Sequence, residues 1–237
     1  MIFLIFDLVN RDFLASKFMV FNIQYFFTFI IPFLTNCNNP TSQSFDHEEI
    51  NGFLEVEAEN FENQELTNIR KWYLRDADHE VSVEPDGDGN HFTTAGGQAY
   101  MEILPDSRRT HDDELIPGEN FSNEPGKLGV LHYKVKINNS GKYYVWVKAY
   151  STGTEYNGLH VGLNGKWPES GQRMQWCKDK DKWTWASKQR IPEEHCGIEE
   201  RIYLEIKEPG IHTISFSMCE DGFEFDKWVI SKEYHFN

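Results

Sequence analysis

The sequence predicts an all-β fold, a sandwich or barrel of about nine or ten short strands preceded by an export signal. Three observations lead there. Apolar and polar residues alternate with a period of two along much of the chain. Turn signals built from Gly, Pro, Asn and Asp separate these runs at similar spacing. No long stretch carries a helical period.

The first fifty residues differ from the rest. Phe26 to Leu34 read FFTFIIPFL, too short to span a bilayer but suited to the apolar region of a secretory signal. Leu34-Thr35-Asn36-Cys37 resembles a relaxed bacterial lipobox, which makes Cys37 the expected lipidated first residue of the mature protein. A plainly cleaved signal with an ordinary Cys37 is the alternative. Met19 gives a tidier start than Met1, whereas Arg11 and Lys17 supply a basic region only to the longer form. Residues 1–37 are thus read as a signal and lipoprotein segment, and 38–52, rich in Asn, Ser and acids, as a flexible tether. The expected location is the outer membrane or cell surface, with periplasm or secretion as alternatives. A lipid anchor is the only expected membrane contact.

Residues 53–237 are read as one domain, large enough to bury a full core. Leu54–Glu59 and Ala99–Leu104 read as its first strands. Leu131, Tyr133, Val135 and Ile137 alternate with His132, Lys134 and Lys136. Asn138–Gly141 forms a turn, and Lys142–Tyr150 returns, setting Tyr143, Val145, Val147 and Ala149 on one face. Strands follow over 159–163, 183–189, 202–206, 211–218 and 225–231. The segments 106–126 and 166–182 interrupt this pattern; loops of such length are functional or disordered, and their aromatic and acidic content favours function.

The formal net charge of −15 disfavours nucleic acid, which needs a basic surface. It also disfavours densely sulfated or carboxylated polymers unless a local basic patch overrides the field. Neutral or lightly charged glycans fit better, and abundant carboxylates suit Ca²⁺. In an oxidising compartment Cys177 and Cys196, which flank Trp183 and Trp185, are placed to clamp a loop as a disulfide. Cys219 reads as a buried free thiol. No Cys or His spacing points to zinc.

Several segments, in order, resemble carbohydrate-binding modules of families 6 and 35 and the related C-terminal domain of family 115 glycoside hydrolases. They are Val56-Glu57-Ala58-Glu59-Asn60-Phe61, Gly141 to Ala149, Glu155 to Gly165, Gly210-Ile211-His212-Thr213-Ile214 and Glu220 to Lys227. The resemblance implies a jelly-roll β-sandwich of two antiparallel sheets. It implies a structural Ca²⁺ held by Glu57, Glu59 and Asp226, carboxylates of the first and last strands; a solvated strand edge is the plain alternative. It also implies a sugar clamped between aromatic rings at one edge of the sandwich, where Tyr150, Tyr156, Asn157 and Trp185 match loosely.

A pyranose offers an apolar face to a flat ring and a hydroxyl rim to polar side chains. On that ground Trp72, Trp176 and Trp183 join the carbohydrate-binding set, with core packing as the alternative for each Trp and core the favoured reading of Trp228. His111, Asp112, Asp113 and Glu119 join as polar contacts, with a solvated loop as the alternative. No catalytic residue is assigned. The expected function is non-catalytic polysaccharide binding that retains a plant or algal glycan for degrading enzymes or transporters. The competing readings are a small glycoside hydrolase or polysaccharide lyase using the Asp106–Gly126 loop, whose paired carboxylates suit such chemistry, and the accessory domain of a truncated glycoside hydrolase.

Overall fold

A computed structural model of the chain describes residues 46–155, 157–177 and 179–236. The first strands are β1 (Phe53–Glu57), β2 (Asn63–Glu65), β3 (Lys71–Arg75), β4 (Tyr100–Leu104), β5 (Val130–Ile137), β6 (Gly141–Tyr150) and β7 (Gly158–Leu163). They are followed by β8 (Met174–Gln175), β9 (Thr184–Ala186), β10 (Lys188–Ile191), β11 (Glu194–Glu199), β12 (Tyr203–Ile206), β13 (Gly210–Met218) and β14 (Glu224–Ser231). One sheet, the front, runs β12-β6-β14-β4-β3, with β1 also beside β14 and β9 beside β6. The back sheet runs β11-β10-β8-β7-β13-β5-β2. Pairing within both is antiparallel, so the fold is the expected two-sheet sandwich.

The period-two pattern of β6 explains the layering. Tyr143, Val145, Val147 and Ala149 are buried, whereas Tyr144, Trp146, Lys148 and Tyr150 on the other face are half-buried. The inner face meets Leu131, Tyr133, Val135, Ile137, Ile214 and Phe216 of the back sheet in one core. Burying each such side chain contributes roughly 1.5–3 kcal/mol. Tyr133 lies edge-on to Trp228 at 5.2 Å, and its hydroxyl donates to the Ala58 carbonyl at 2.6 Å, so this buried polar atom is satisfied.

Two departures from the sequence reading have local causes. The run 183–189 is not one strand: β9 pairs with β6 in the front sheet and β10 pairs with β8 and β11 in the back, the chain crossing at the buried Ser187. The proposed tether over 38–52 is also too long. Glu48 pairs with Lys136, and the Glu49 N–H donates to the Lys136 carbonyl at 2.8 Å. The Glu49 carboxylate accepts the N–H groups of Gly52, Asn138 (2.8 Å) and Asn139 (2.9 Å). One buried carboxylate thus organises both the lead-in to β1 and the β5–β6 turn.

A bulge in β14 positions the candidate site. Phe225 pairs with Ala149 and Lys227 with Lys148, so Asp226 is the extra residue. Phe225 and Trp228 both remain in the core. Asp226 and Lys227 instead reach partners on the outer side of the front sheet.

Burial pushes the pKa of Glu49 up, but its hydrogen bonds outweigh this and hold it below the usual range. A depressed folded pKa means this contribution is present above the unfolded value and is lost as the pH falls through the folded one. Glu49→Ala should therefore lower unfolding stability at neutral pH by about 1–3 kcal/mol, the cost of leaving buried donors unpaired. Urea denaturation checks this, and the difference should shrink in acid.

Candidate functional site on the outer face of the front sheet

The bulge gathers the three acids assigned to Ca²⁺. Lys227 Nζ lies 2.7 Å from Glu57 Oε1, and the Gly96 N–H donates to Asp226 Oδ1 at 2.9 Å. Lys148 Nζ is 2.8 Å from Asp226 Oδ2. Glu57 Oε2 and Glu59 Oε2 are buried without hydrogen-bond partners. Burial raises the pKa of Glu59, and the charges of Glu57 and Asp226 push the same way. The donors are all oxygen and two lack hydrogen-bond partners, as suits a hard divalent cation, but two lysine ammonium groups already share the set and its three carboxylates are not one of the groups whose ligand atoms converge within 4.8 Å.

Across the same face, register places Tyr150, Glu224, Glu102 and Tyr73 side by side on β6, β14, β4 and β3. Glu102 and Glu224 are directly opposed and almost wholly buried, an arrangement that disfavours two negative charges. Arg75 Nε lies 3.0 Å from Glu102, and its Nη2 donates to Asp86 at 3.0 Å. His91 Nδ1 lies 2.8 Å from Glu224 Oε1, and Thr152 donates to Asp88 at 2.9 Å. Asp88, His91 and Glu224 form one group whose ligand atoms lie within 4.8 Å of one another, and Asp86, Asp88 and Glu102 form another.

Burial, then the Glu224 charge, pushes Glu102 up to about 10, and burial raises Glu224 well above the carboxylate range. Burial likewise lowers His91. Sealed from water, Glu102 and Glu224 offer a substrate no open path, so this cluster reads as a proton-sharing foundation rather than an acid–base pair. The sequence reading missed it. Glu102, a charged residue flanked by Met101 and Ile103 in an apolar strand, was the available signal.

Above these acids the Tyr150 ring stacks on His91, with centroids 3.8 Å apart and planes at 18°. Trp183 meets Tyr150 at 5.3 Å and Tyr100 at 5.2 Å, and its indole N–H donates to Thr94 at 3.2 Å. Trp185 is placed differently, although it shares a strand segment with Trp183. It packs edge-on to Phe236 at 5.6 Å. There it lines a groove of about 390 Å³ with Phe53, Trp146, Phe236, Glu55 and His235. It also borders a smaller cavity of about 120 Å³ beside the Cys177–Cys196 disulfide.

Other residues assigned from sequence lie elsewhere. Trp72 and Trp176 are 2% and 3% exposed, which corrects their assignment as sugar platforms. Trp72 donates to the Gly129 carbonyl at 2.7 Å, and Trp176 packs on Phe223 at 4.9 Å. Asn157 is buried, its N–H on Glu220 at 2.8 Å and its side-chain oxygen on Gln175, so its polar atoms are committed inside the protein. His111, Asp112, Asp113 and Glu119 are exposed. Asp113 accepts from Thr110 N at 2.8 Å, as a turn cap. Tyr156 and Cys37 lie outside the described residues.

Fold and site together define an antiparallel β-sandwich domain with aromatic-lined grooves on one outer face. The chain belongs to the glycosyl hydrolase family 115 C-terminal domain family, whose model matches residues 47–234. It is 54% identical over 197 residues to uncharacterized protein P23 of Formosa agariphila, a match covering 83% of this chain and 48% of that protein. The chain thus spans about half the length of that curated relative. Among solved structures it matches a family 35 carbohydrate-binding module from Clostridium thermocellum at 15% identity, covering 74% of this chain and 96% of that one, with a TM-score of 0.38. It also matches the Podospora anserina GH26-CBM35 β-(1,4)-mannanase at 12% identity, covering 76% of this chain and 27% of that one, with a TM-score of 0.39.

The raised acids set the sign of a pH effect. A folded pKa above the unfolded value gives a contribution that is full below the unfolded pKa and is lost as pH rises through the folded one. Stability should therefore fall as pH is raised from about 5 to about 9. Glu102→Gln should flatten that slope in urea-denaturation midpoints; an unchanged slope would contradict the proton-sharing account.

Proposed function

We propose that this domain binds carbohydrate without cutting it, and that its glycan lies along the Trp185 groove. The observation that carries the reading is the half-buried Trp185 indole, packed edge-on to Phe236 and sharing its groove with Trp146, Glu55 and His235. Flat apolar rings beside carboxylate and imidazole groups suit the two faces of a pyranose. Membership of a family named for its place in glycosyl hydrolases supports a role beside carbohydrate-degrading enzymes. The exposed His111–Asp113 turn, with Asp113 committed to backbone donors, weighs against a hydrolase or lyase centred there. A shallow site making a few stacking contacts should bind at about micromolar to millimolar Kd.

Within this reading Glu57, Glu59 and Asp226 would hold Ca²⁺, its charge offsetting the gathered carboxylates and stapling β1 to β14. The 1–37 segment would export the chain, and lipidation at Cys37 would hold it at the cell surface, near polysaccharide and its degrading enzymes. Plant and algal polysaccharides are the proposed ligands.

Affinity electrophoresis through gels containing such polysaccharides tests the site. Trp185→Ala should weaken retention by roughly tenfold or more, a loss of about 1.4 kcal/mol or above, while His111→Ala should leave it unchanged. Retention unaffected by Trp185→Ala would refute the groove assignment. Reducing-end release abolished by Asp113→Asn would favour the hydrolase reading instead. The metal is tested separately: Ca²⁺ should raise Tm, chelator should reverse this, and Glu59→Ala should remove the response. Superimposable melting curves would exclude the proposed ion.

A further inference from the structure

The back sheet carries a feature at odds with the acidity of the chain. Arg173 and Arg190 face one another at the end of the β8–β10 pairing. Gln189 pairs with Met174, and the Arg190 N–H donates to the Arg173 carbonyl at 2.9 Å. Both residues, with Pro192 and His195, line one groove of about 230 Å³. Arg173, just before β8, has a left-handed backbone (φ 55°), and Arg190 lies at an irregularity of β10 between Gln189 and Ile191, so the two like charges converge on the groove from irregular backbone.

Asp and Glu outnumber Lys and Arg by 38 to 23, so acidic partners are plentiful. The more buried arginines use them: Arg70 pairs with Asp221 at 2.8 Å, Arg75 with Asp86 and Glu102 at 3.0 Å, and Arg108 with Glu155 at 2.6 Å. Arg173 and Arg190 form no salt bridge among the described residues, and act on a carboxyl only through longer-range charge on the buried Glu220. The Arg173 guanidinium is instead held by neutral groups of the long β4–β5 connection. It donates to the Asn123 side-chain oxygen and lies over the Phe121 ring at 5.5 Å. One guanidinium is thus oriented by neutral groups, and among the described residues its neighbour has no side-chain hydrogen bond or salt bridge.

We propose that Arg173 and Arg190 form a subsite for an anionic substituent, a carboxylate or sulfate ester, on the glycan this domain binds. The inference rests on the carbohydrate-binding reading and specifies its ligand class. A guanidinium fork matches the paired oxygens of either group. The overall charge of −15 disfavours a charged polymer at long range, but at physiological salt that field is screened beyond about 8 Å, so the local pair dominates within the groove. Lys188 and Cys196 border the cavity beside Trp185, and Arg190 and His195, within two residues along the chain, line this one.

The test uses affinity electrophoresis of the whole chain against polygalacturonate, its carboxyl-reduced form, a sulfated galactan and its desulfated form. Arg190→Gln removes no side-chain hydrogen bond or salt bridge among the described residues, and its Tm should match the parent protein. At least one charged polymer should be retained about tenfold more tightly than its neutral counterpart, and Arg190→Gln should erase that difference without weakening retention on the neutral form. The responding pair identifies carboxylate or sulfate as the recognised group. An Arg190→Gln variant that still prefers the charged polymer overturns the subsite, as does equal loss on Lys71→Gln, in β3 at the far edge of the other sheet. In either case retention lost on Trp185→Ala would leave the carbohydrate-binding reading standing. Retention on none of the four polymers would overturn both.

Discussion

The architecture depends on where the last strand goes. β14 occupies the middle of the front sheet, bonded to β6 along one side and to β4 and β1 along the other. Among the described residues, β14 joins the β12-β6-β9 strands to β4-β3 and to β1. Its core residues, Phe225, Trp228 and Ile230, are among the most buried in the molecule. The bulge at Asp226 lets the strand keep this inner face while turning an acid and a lysine outward. The Asp226 bulge lies beside Glu224, whose pairing with Glu102 and Tyr150 sets the carboxylate cluster under the aromatic surface.

Charge on the outer face is managed by burial and sharing rather than by hydration. Glu102 and Glu224 oppose one another, with Arg75 and His91 as partners and protonation favoured by the dry setting. The Tyr150–His91 stack and Trp183 lie over this foundation. The network is only partly satisfied, since Asp86 Oδ1 and Glu102 Oε2 are buried without a hydrogen-bond partner. Glu49 performs a comparable role at the opposite end of β1, where its donors fix the lead-in strand against the β5–β6 turn.

Much of the fold was legible in the sequence because the alternation of Leu131 to Ile137 and of Lys142 to Tyr150 has a direct physical reading. The strands that were missed include β3, whose Trp72, Tyr73 and Leu74 are bracketed by Lys71 and Arg75, and others that are short or polar. β11, Glu194–Glu199, is an exposed edge with no apolar face to announce it, and β8 spans only Met174–Gln175. The site was less legible. Period two shows that Trp183 and Trp185 share a strand segment, but not that their rings find different neighbours. Nor does composition separate Trp72 and Trp176, which fill the core, from Trp185, which lines a groove; that distinction needs the opposite sheet. The Arg173–Arg190 pair was invisible for the same reason, since it depends on a register between strands the sequence does not mark.

The central claim is that a saccharide lies against the Trp185 indole. The structure of the domain with a bound oligosaccharide, taken from whichever polysaccharide retards it most, tests this directly. The account predicts a pyranose ring stacked on Trp185 within the groove walled by Trp146 and Phe236. A sugar held instead at the His111–Asp113 turn, with the Trp185 groove empty, would contradict it.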